Sequence, residues 1–185
     1  MGNAPASARE ALEMVRAGLG YLAAADAAEL GTAAQAECLR KLELAEASLT
    51  AARAFILAGF TAGQGYSSDA EYSSRAWLIH QTRVSKSTAL AHAAWARRAA
   101  THPRVVAALA TGELSESYGR TICTWTDKLP ADCRVAADAI LIVAAKSGAN
   151  ARDLAEVFGG IYTLARPRPG LVPAPEPAII SAVAI

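Results

Sequence analysis

Apolar side chains recur every three or four residues along most of the chain, which is the spacing of one face of an α-helix. Near the N-terminus, Ser7–Glu10 (SARE) has the form of a capping box, and so has Thr32–Gln35 (TAAQ). Each box predicts the start of a helix. The first of these helices carries an apolar stripe at helical spacing, made of Leu12, Val15, Leu19 and Leu22.

The second predicted helix is long and contains a heptad pattern, in which steps of four and three residues alternate. We call these positions the heptad seam: Cys38, Leu42, Ala45, Leu49, Ala52, Ile56 and Gly59. Charged residues occupy the other faces of this helix. Two interpretations of residues 38–59 stay open, namely an ordinary core helix and a surface through which two copies form a homodimer.

Six further helices are predicted from caps, glycines and prolines. A Gly/Ser loop, Thr61–Asp69, precedes them, and Ser85 is expected to cap the second of the six. Their predicted ranges are 74–82, 85–102, 103–112, 115–128, 130–147 and 150–165.

The character of the chain changes after these helices, because five of the eight prolines lie beyond residue 166. Such a composition favours an extended linker over a packed element. We therefore expect an N-terminal helix in residues 1–31, a helical module in residues 32–166, and a Pro-rich linker or tail in residues 167–185.

About a quarter of the 185 residues are Ala, and aromatic residues make up only 6%. Ala is the strongest helix former and a poor strand former, so the expected fold is all-α, a multi-helix bundle. The three cysteines are scattered, there is no signal-peptide pattern, and uninterrupted apolar runs are too short to span a bilayer. We expect a cytoplasmic protein without disulfide, metal, cofactor or membrane contact.

The formal net charge of +1 conceals a strong asymmetry. Residues 73–112 hold six basic side chains and no acidic one, whereas residues 1–72 have a balance of −4 and residues 113–185 of −1. This pattern is typical of a surface that binds a polyanion such as DNA. In the alternative, acidic side chains of other helices balance the cations after folding. The six are Arg75, Arg83, Lys86, Arg97, Arg98 and Arg104.

The stretch RVSKSTALAH, Arg83–His92, resembles the start of the second helix of a helix-turn-helix. In that interpretation Thr82–Arg83 forms the turn, Val84 fills the junction and Ser85 caps the helix, whose first turn enters the major groove. Lysine neutralises phosphate and hydroxyls bond phosphates or base edges. The exposed first turn would contain Lys86, Ser87 and Thr88.

Two details weaken this interpretation. A left-handed backbone at Arg83 costs roughly 1–2 kcal/mol, because the position usually favours Gly. The same alignment points Leu90 and Ala91 towards the groove and buries His92, so that reading of a base sequence is expected to be poor. The alternative is a capped helix in an ordinary bundle.

Other stretches predict structure more than chemistry. Ala110–Ile122 has a similar corner pattern, but Glu113 and Glu116 there would repel phosphate. Trp95 is expected on the inner face of the bundle rather than stacked on an unpaired base. The carboxylates of Asp127, Asp132 and Asp138 are interpreted as helix-end caps and solvated surface groups.

The segment AWLIHQTRVSKSTALAHAAWARRAATHPRVVAALATGELSESYGRTICTWTDKLP is similar to the core of the domain-of-unknown-function family 222. The resemblance covers about residues 40–168, and the order and spacing of its parts carry it more than any one motif. It implies an actinobacterial multi-helix module that usually precedes an HNH nuclease domain. His80, His92 and His102 do not map onto an HNH site, so the catalytic half is expected to be absent from this chain.

Taken together, these patterns predict a non-catalytic module that associates with nucleic acid, with no catalytic and no metal-binding residues. Residues expected to hold phosphate are Arg83, Lys86, Arg97, Arg98 and Arg104. Those expected to position the helix start are Ser85, Ser87 and Thr88. The alternative is a protein-interaction or oligomerisation domain that uses the heptad seam.

Overall fold

The computed structural model describes residues 4–165, most of which are α-helical, and it contains no strand within that range. The predicted all-α, multi-helix fold is confirmed. The predicted Pro-rich tail lies outside the described residues. The helices are α1 (Ala8–Ala24), α2 (Thr32–Ala62), α3 (Ser74–Thr82), α4 (Lys86–Thr101), α5 (Pro103–Ala110), α6 (Glu116–Thr126), α7 (Ala131–Lys146) and α8 (Ala151–Ala165).

Side-chain caps begin five of these helices, four of them as the sequence predicts and the fifth, α3, at Ser73, whose hydroxyl accepts from the Ala76 amide. Ser7, Ser85 and Ser115 each accept a hydrogen bond from the backbone amide three residues later. Asn150 accepts bonds from two amides at the start of α8. Each cap satisfies donors that have no partner inside the helix, so these starts are encoded locally.

The predicted capping box at Thr32 is wrong. Thr32 is the first residue of α2 rather than its cap. The Gln35 amide donates instead to the carbonyls of Ala27 and Leu30, at 2.7 and 3.1 Å. The tight turn before α2 offers these carbonyls, which hold the Gln35 side chain through its amide nitrogen, whereas a capping box would use its amide oxygen as the acceptor.

The described residues form two units, 4–45 and 46–165, and α2 contributes to both. The first unit consists of α1, a turn in which Asp26 bonds the amide of Ala28, and the start of α2. None of its described residues is buried. Its large apolar side chains are therefore partly exposed to solvent. Leu12, for example, is 63% exposed.

The second unit has a continuous hydrophobic core. Its largest apolar side chains without solvent contact come from four helices: Leu109, Ile122, Leu141 and Leu154. α2 contributes three small residues, Ala47, Ala51 and Ala54. Because alanine projects little from the helix, the neighbouring side chains approach the α2 backbone closely.

Close packing also explains the glycine inside α6. A Cβ atom at Gly119 would lie 3.1 Å from Leu109, and 3.3 Å from both Trp95 and Val105. Those distances are shorter than ordinary carbon contacts, so a larger residue here would require the side chains of α4 and α5 to shift by a few tenths of an ångström. The intrinsic cost of glycine in a helix is offset by this packing.

A smaller group of buried residues joins α2, α3 and α4, and we call it the corner cluster. Its buried members are Leu57, Leu78 and Ala89. Val84, between α3 and α4, packs against it and is half-buried. This cluster holds α3 and α4 together at the turn between them.

α2 is the one helix within residues 4–165 that is long and apolar enough to cross a membrane by length and composition, with a mean hydropathy of 1.2 over an 18-residue window. Five of its residues face the protein interior: Ala47, Thr50, Ala51, Ala54 and Leu57. None of them belongs to the heptad seam. No residue of the heptad seam is buried, and Leu49 and Ile56 are 40% and 68% exposed. α2 is thus a core helix, but the face that packs into the core is not the heptad seam.

His102 lies at the centre of a buried polar network in the second unit. Its Nδ1 is 2.9 Å from Asp138 Oδ2, and its Nε2 is 3.0 Å from Asp127 Oδ1. The Thr126 hydroxyl donates to the second oxygen of Asp138 at 2.7 Å. Neither His102 nor Asp138 has appreciable solvent contact. A doubly protonated imidazolium can donate to both carboxylates at once.

Two opposing effects set the pKa of His102. Burial disfavours the charged imidazolium, but hydrogen bonds to Asp138, Cys123 and Asp127 outweigh it and raise the pKa to about 10. The interpretation of Asp138 as a cap or solvated surface group is therefore wrong, because Asp138 bonds His102 and is 1% exposed. Asp127 is exposed and lies at the end of α6, as expected, but it also bonds His102. Asp132 is exposed, as expected.

We predict that the folded state becomes less stable as the pH rises from about 6.5 to 10. The raised pKa means that the folded protein binds more protons than the unfolded chain in this range. The stabilisation is fully present below the unfolded pKa of 6.5 and is lost towards pH 10. The free energy of unfolding, measured with urea, should fall by up to about 1.4 kcal/mol per pH unit.

Asp138→Asn should lower the free energy of unfolding near neutral pH by about 3 kcal/mol, because it removes one partner of a buried ion pair. It should also flatten the pH dependence. Asp132→Asn is the matched control on the same helix and should leave both unchanged. Equal stability of the two variants would contradict the role of this network.

Candidate nucleic-acid interface

The turn between α3 and α4 has the local geometry that the sequence predicts. Arg83 follows the last residue of α3 and adopts a left-handed backbone, with φ 56° and ψ 28°. Val84 then packs into the corner cluster, and Ser85 caps α4. The strain anticipated at Arg83 is therefore present, and its side chain is exposed.

The hydroxyl groups at the start of α4 bond to one another. Ser85 Oγ accepts from the Thr88 amide and lies 2.9 Å from both Ser87 Oγ and Thr88 Oγ1. Ser85 and Ser87 are exposed, whereas Thr88 is half-buried. The three predicted hydroxyls thus lie together in one cluster at the start of α4.

Two of the predicted cations share one face of α4. Lys86 and Arg97 are eleven residues apart, close to three helical turns, and so lie on one line about 16 Å long. Both are exposed. Leu90 lies between them on this face and is 51% exposed, and Ala91 beside it is also exposed. The exposed face of α4 therefore has a cation at each end and apolar side chains between them.

Arg98 is held by one contact within α4 and one with α6. Its guanidinium lies 5.0 Å from the centre of the Trp95 ring and donates to Thr124 Oγ1 at 3.4 Å. Trp95 is 5% exposed and its indole N–H donates to Glu116 at 2.9 Å. The expected inner position of Trp95 is confirmed, so its ring is not a stacking platform for an unpaired base.

Glu116 lies close to these cations, but its charge is already paired. Arg120 contacts both of its carboxylate oxygens, at 2.7 and 2.6 Å, while the Trp95 indole bonds one of them. The side chain of Glu116 is 15% exposed. Its predicted repulsion of phosphate is correspondingly weakened.

None of the six cations in residues 73–112 forms an ion pair within 4.0 Å in the described part of the chain. The ion pairs that do form involve other basic residues. Arg104, in the first turn of α5, is exposed like Arg83, Lys86 and Arg97. The alternative in which acidic side chains pair with these cations is therefore wrong at salt-bridge distance.

The histidines add little to this surface. Burial, together with the nearby charge of Arg53, lowers the pKa of His92 and so disfavours its charged imidazolium form. His92 is half-buried, which agrees in direction with its predicted burial. His80 contacts Glu71 at 2.6 Å and His102 belongs to the buried network. Within residues 4–165, no group of three or more His, Cys, Asp or Glu side chains is arranged so that it could hold a metal ion.

No family model, curated protein or solved structure matches this chain.

We predict that Arg83→Gly raises the free energy of unfolding by about 1 kcal/mol, because glycine adopts the left-handed backbone without strain. Arg83→Ala is the matched control, since it removes the same charge but keeps a Cβ atom. Urea unfolding should show a gain for glycine alone. A similar gain in both variants would mean that charge, not backbone strain, is the cause.

Proposed function

We propose that this chain is a non-catalytic helical module that associates with nucleic acid through its phosphate backbone. The observation that carries this proposal is the set of six cations in residues 73–112, which have no acidic partner in the described chain. When an unpaired cation of the protein binds phosphate, counterions condensed on the nucleic acid are released. This release favours binding to a polyanion. Arg83 in the turn before α4, Lys86 at the start of α4 and Arg97 near its end are all exposed to solvent.

The apolar middle of the exposed α4 face supports binding that depends little on base sequence. Leu90 and Ala91 offer van der Waals contact but no hydrogen bonds to base edges. The hydroxyls of Ser85, Ser87 and Thr88 and the cations at both ends of the face suit phosphate oxygens. Arg98 and Arg104 extend the same charge beyond this face.

Kinship with the domain-of-unknown-function family 222 remains part of the proposal, together with a cytoplasmic location. The resemblance adds the nucleic-acid context of HNH-nuclease-like proteins. The all-α fold is compatible with it. No nuclease chemistry is proposed for these residues.

We predict that Lys86→Glu with Arg97→Glu lowers the slope of log affinity against log salt by about 2, because two phosphate contacts are lost. Fluorescence anisotropy with a labelled DNA duplex at three salt concentrations measures this slope. Both side chains are exposed, so circular dichroism should show an unchanged fold.

Arg16→Glu with Lys128→Glu is the matched control for this measurement. It changes the net charge equally, at exposed cations that form no ion pair in the described chain. The control should bind with nearly the native slope. An equal fall of the slope in both variants would mean that net charge alone causes the effect. If the native chain did not bind DNA at the lowest salt concentration, the proposal would be refuted.

A second candidate function is self-association, favoured by the exposure of the heptad seam. Ile56 and Leu49 project from the face of α2 opposite its buried alanines. An apolar stripe that the core does not use is typical of an interaction surface. The two candidate functions use different residues and are compatible with each other.

We predict that Leu49→Lys converts a dimer into a monomer in light scattering after gel filtration, because the lysine charge would be buried between two helices. Leu164→Lys is the control, since Leu164 is 84% exposed and lies outside the heptad seam. The Leu49→Lys variant should retain its affinity for DNA. A native protein that is monomeric at high concentration would end this candidate.

A further inference from the structure

We propose that the partner of the heptad seam is the same seam of a second copy, and that the two α2 helices run antiparallel. The inference rests on the proposed self-association and adds its partner, direction and register. Three independent features of α2 carry it. They are the order of residue sizes along the seam, the charges beside it, and an apolar cleft in the first unit.

Residue sizes along the heptad seam alternate, from Leu42 through Ala45, Leu49, Ala52 and Ile56 to Gly59. An antiparallel pair with its two-fold axis between Thr50 and Ala51 puts Leu42 opposite Gly59, Ala45 opposite Ile56, and Leu49 opposite Ala52. Every layer then holds one large and one small residue. Layers of constant width let two helices pack closely.

A parallel pair would repeat each residue opposite itself. The leucine and isoleucine layers would then hold the helices apart, while the layers of Ala45, Ala52 and Gly59 would leave gaps between them. Gaps next to tight layers lose packing contacts. The size pattern therefore favours the antiparallel direction.

The charges beside the heptad seam favour the same register. Glu46 and Arg53 each follow a seam alanine directly, so they flank the seam on the same side. In the antiparallel pair, Glu46 of one copy lies level with Arg53 of the other, offset by about 3 Å along the axis. Neither forms an ion pair within 4.0 Å in the described chain. Two symmetric ion pairs would form.

The first unit contains an apolar cleft beside Leu42 and Ala45, the seam residues that this register places opposite Gly59 and Ile56 of the second copy. The cleft has a volume of about 250 Å³ and lies between α1 and the start of α2. Leu19 and Leu22 line one side, and Leu42 and Ala45 line the other. The proposed register brings Ile56 of the second copy level with Ala45. Ile56 is 68% exposed and is a side chain of suitable chemistry to enter this cleft.

Disulfide crosslinking tests the direction directly. A chain with Glu46→Cys is mixed with a chain with Arg53→Cys, both in a background of Cys38→Ser and Cys133→Ser. Mild oxidation should link the mixture at least tenfold faster than either chain alone. In the antiparallel pair, like positions are separated along the axis by about 13 Å for residue 46 and about 7 Å for residue 53.

The native Cys38 is a built-in reporter for the opposite direction. A parallel pair would place Cys38 beside its own copy, whereas the antiparallel pair separates the two by about 37 Å along the axis. The native protein should therefore give no Cys38–Cys38 disulfide. If it forms that disulfide while light scattering shows a dimer, self-association stands and the antiparallel register is wrong.

Charge exchange gives a second readout without cysteines. Glu46→Arg should weaken the dimer at least tenfold in sedimentation equilibrium, because it faces Arg53 of the second copy. Adding Arg53→Glu to the same chain should restore the native dissociation constant. Failure to restore it, in a folded dimer, would overturn the register. A native protein that is monomeric throughout would instead overturn the self-association on which it rests.

Discussion

The ion pair between His102 and Asp138 is the constraint on which the second unit depends. It joins the junction of α4 and α5 to the middle of α7, and Asp127 and Thr126 extend it to the end of α6. Burying charges is costly unless every polar atom finds a partner. That condition is met, since no buried side-chain nitrogen or oxygen in the described residues lacks a hydrogen bond. Helices lined with alanine have few large side chains to fix their order, and a fully satisfied buried polar network favours a single arrangement of the elements that it joins.

Helix positions were predictable because their signals are local. The caps at Ser7, Ser85 and Ser115 act within one turn, and the range of α3 was predicted to the residue. The partners of His102 lie as far as 36 residues away, and local patterns cannot supply such contacts. One signal was present all the same. Asp138 is a lone charge within the apolar run VAADAILIVAA, where a solvated carboxylate is out of place.

The candidate surfaces show the same division between local and distant information. Sequence alone located the basic residues and the left-handed turn at Arg83, because both follow from short stretches. It could not tell whether acidic side chains from other helices would pair with those cations. Likewise, the heptad pattern identified one apolar stripe of α2, but Ala47, Ala51 and Ala54 form a second, and only packing decides which of the two faces the core.

The two-faced character of α2 has a thermodynamic consequence. Leu57, on its inner face, belongs to the corner cluster with Leu78 and Ala89, which support the turn that carries Arg83. The heptad seam lies on the outer face of the same helix. A shift of α2 that favours one face therefore alters the packing beneath the other. If self-association changes the affinity of the corner for a polyanion, the polyanion must change the affinity between copies by the same factor.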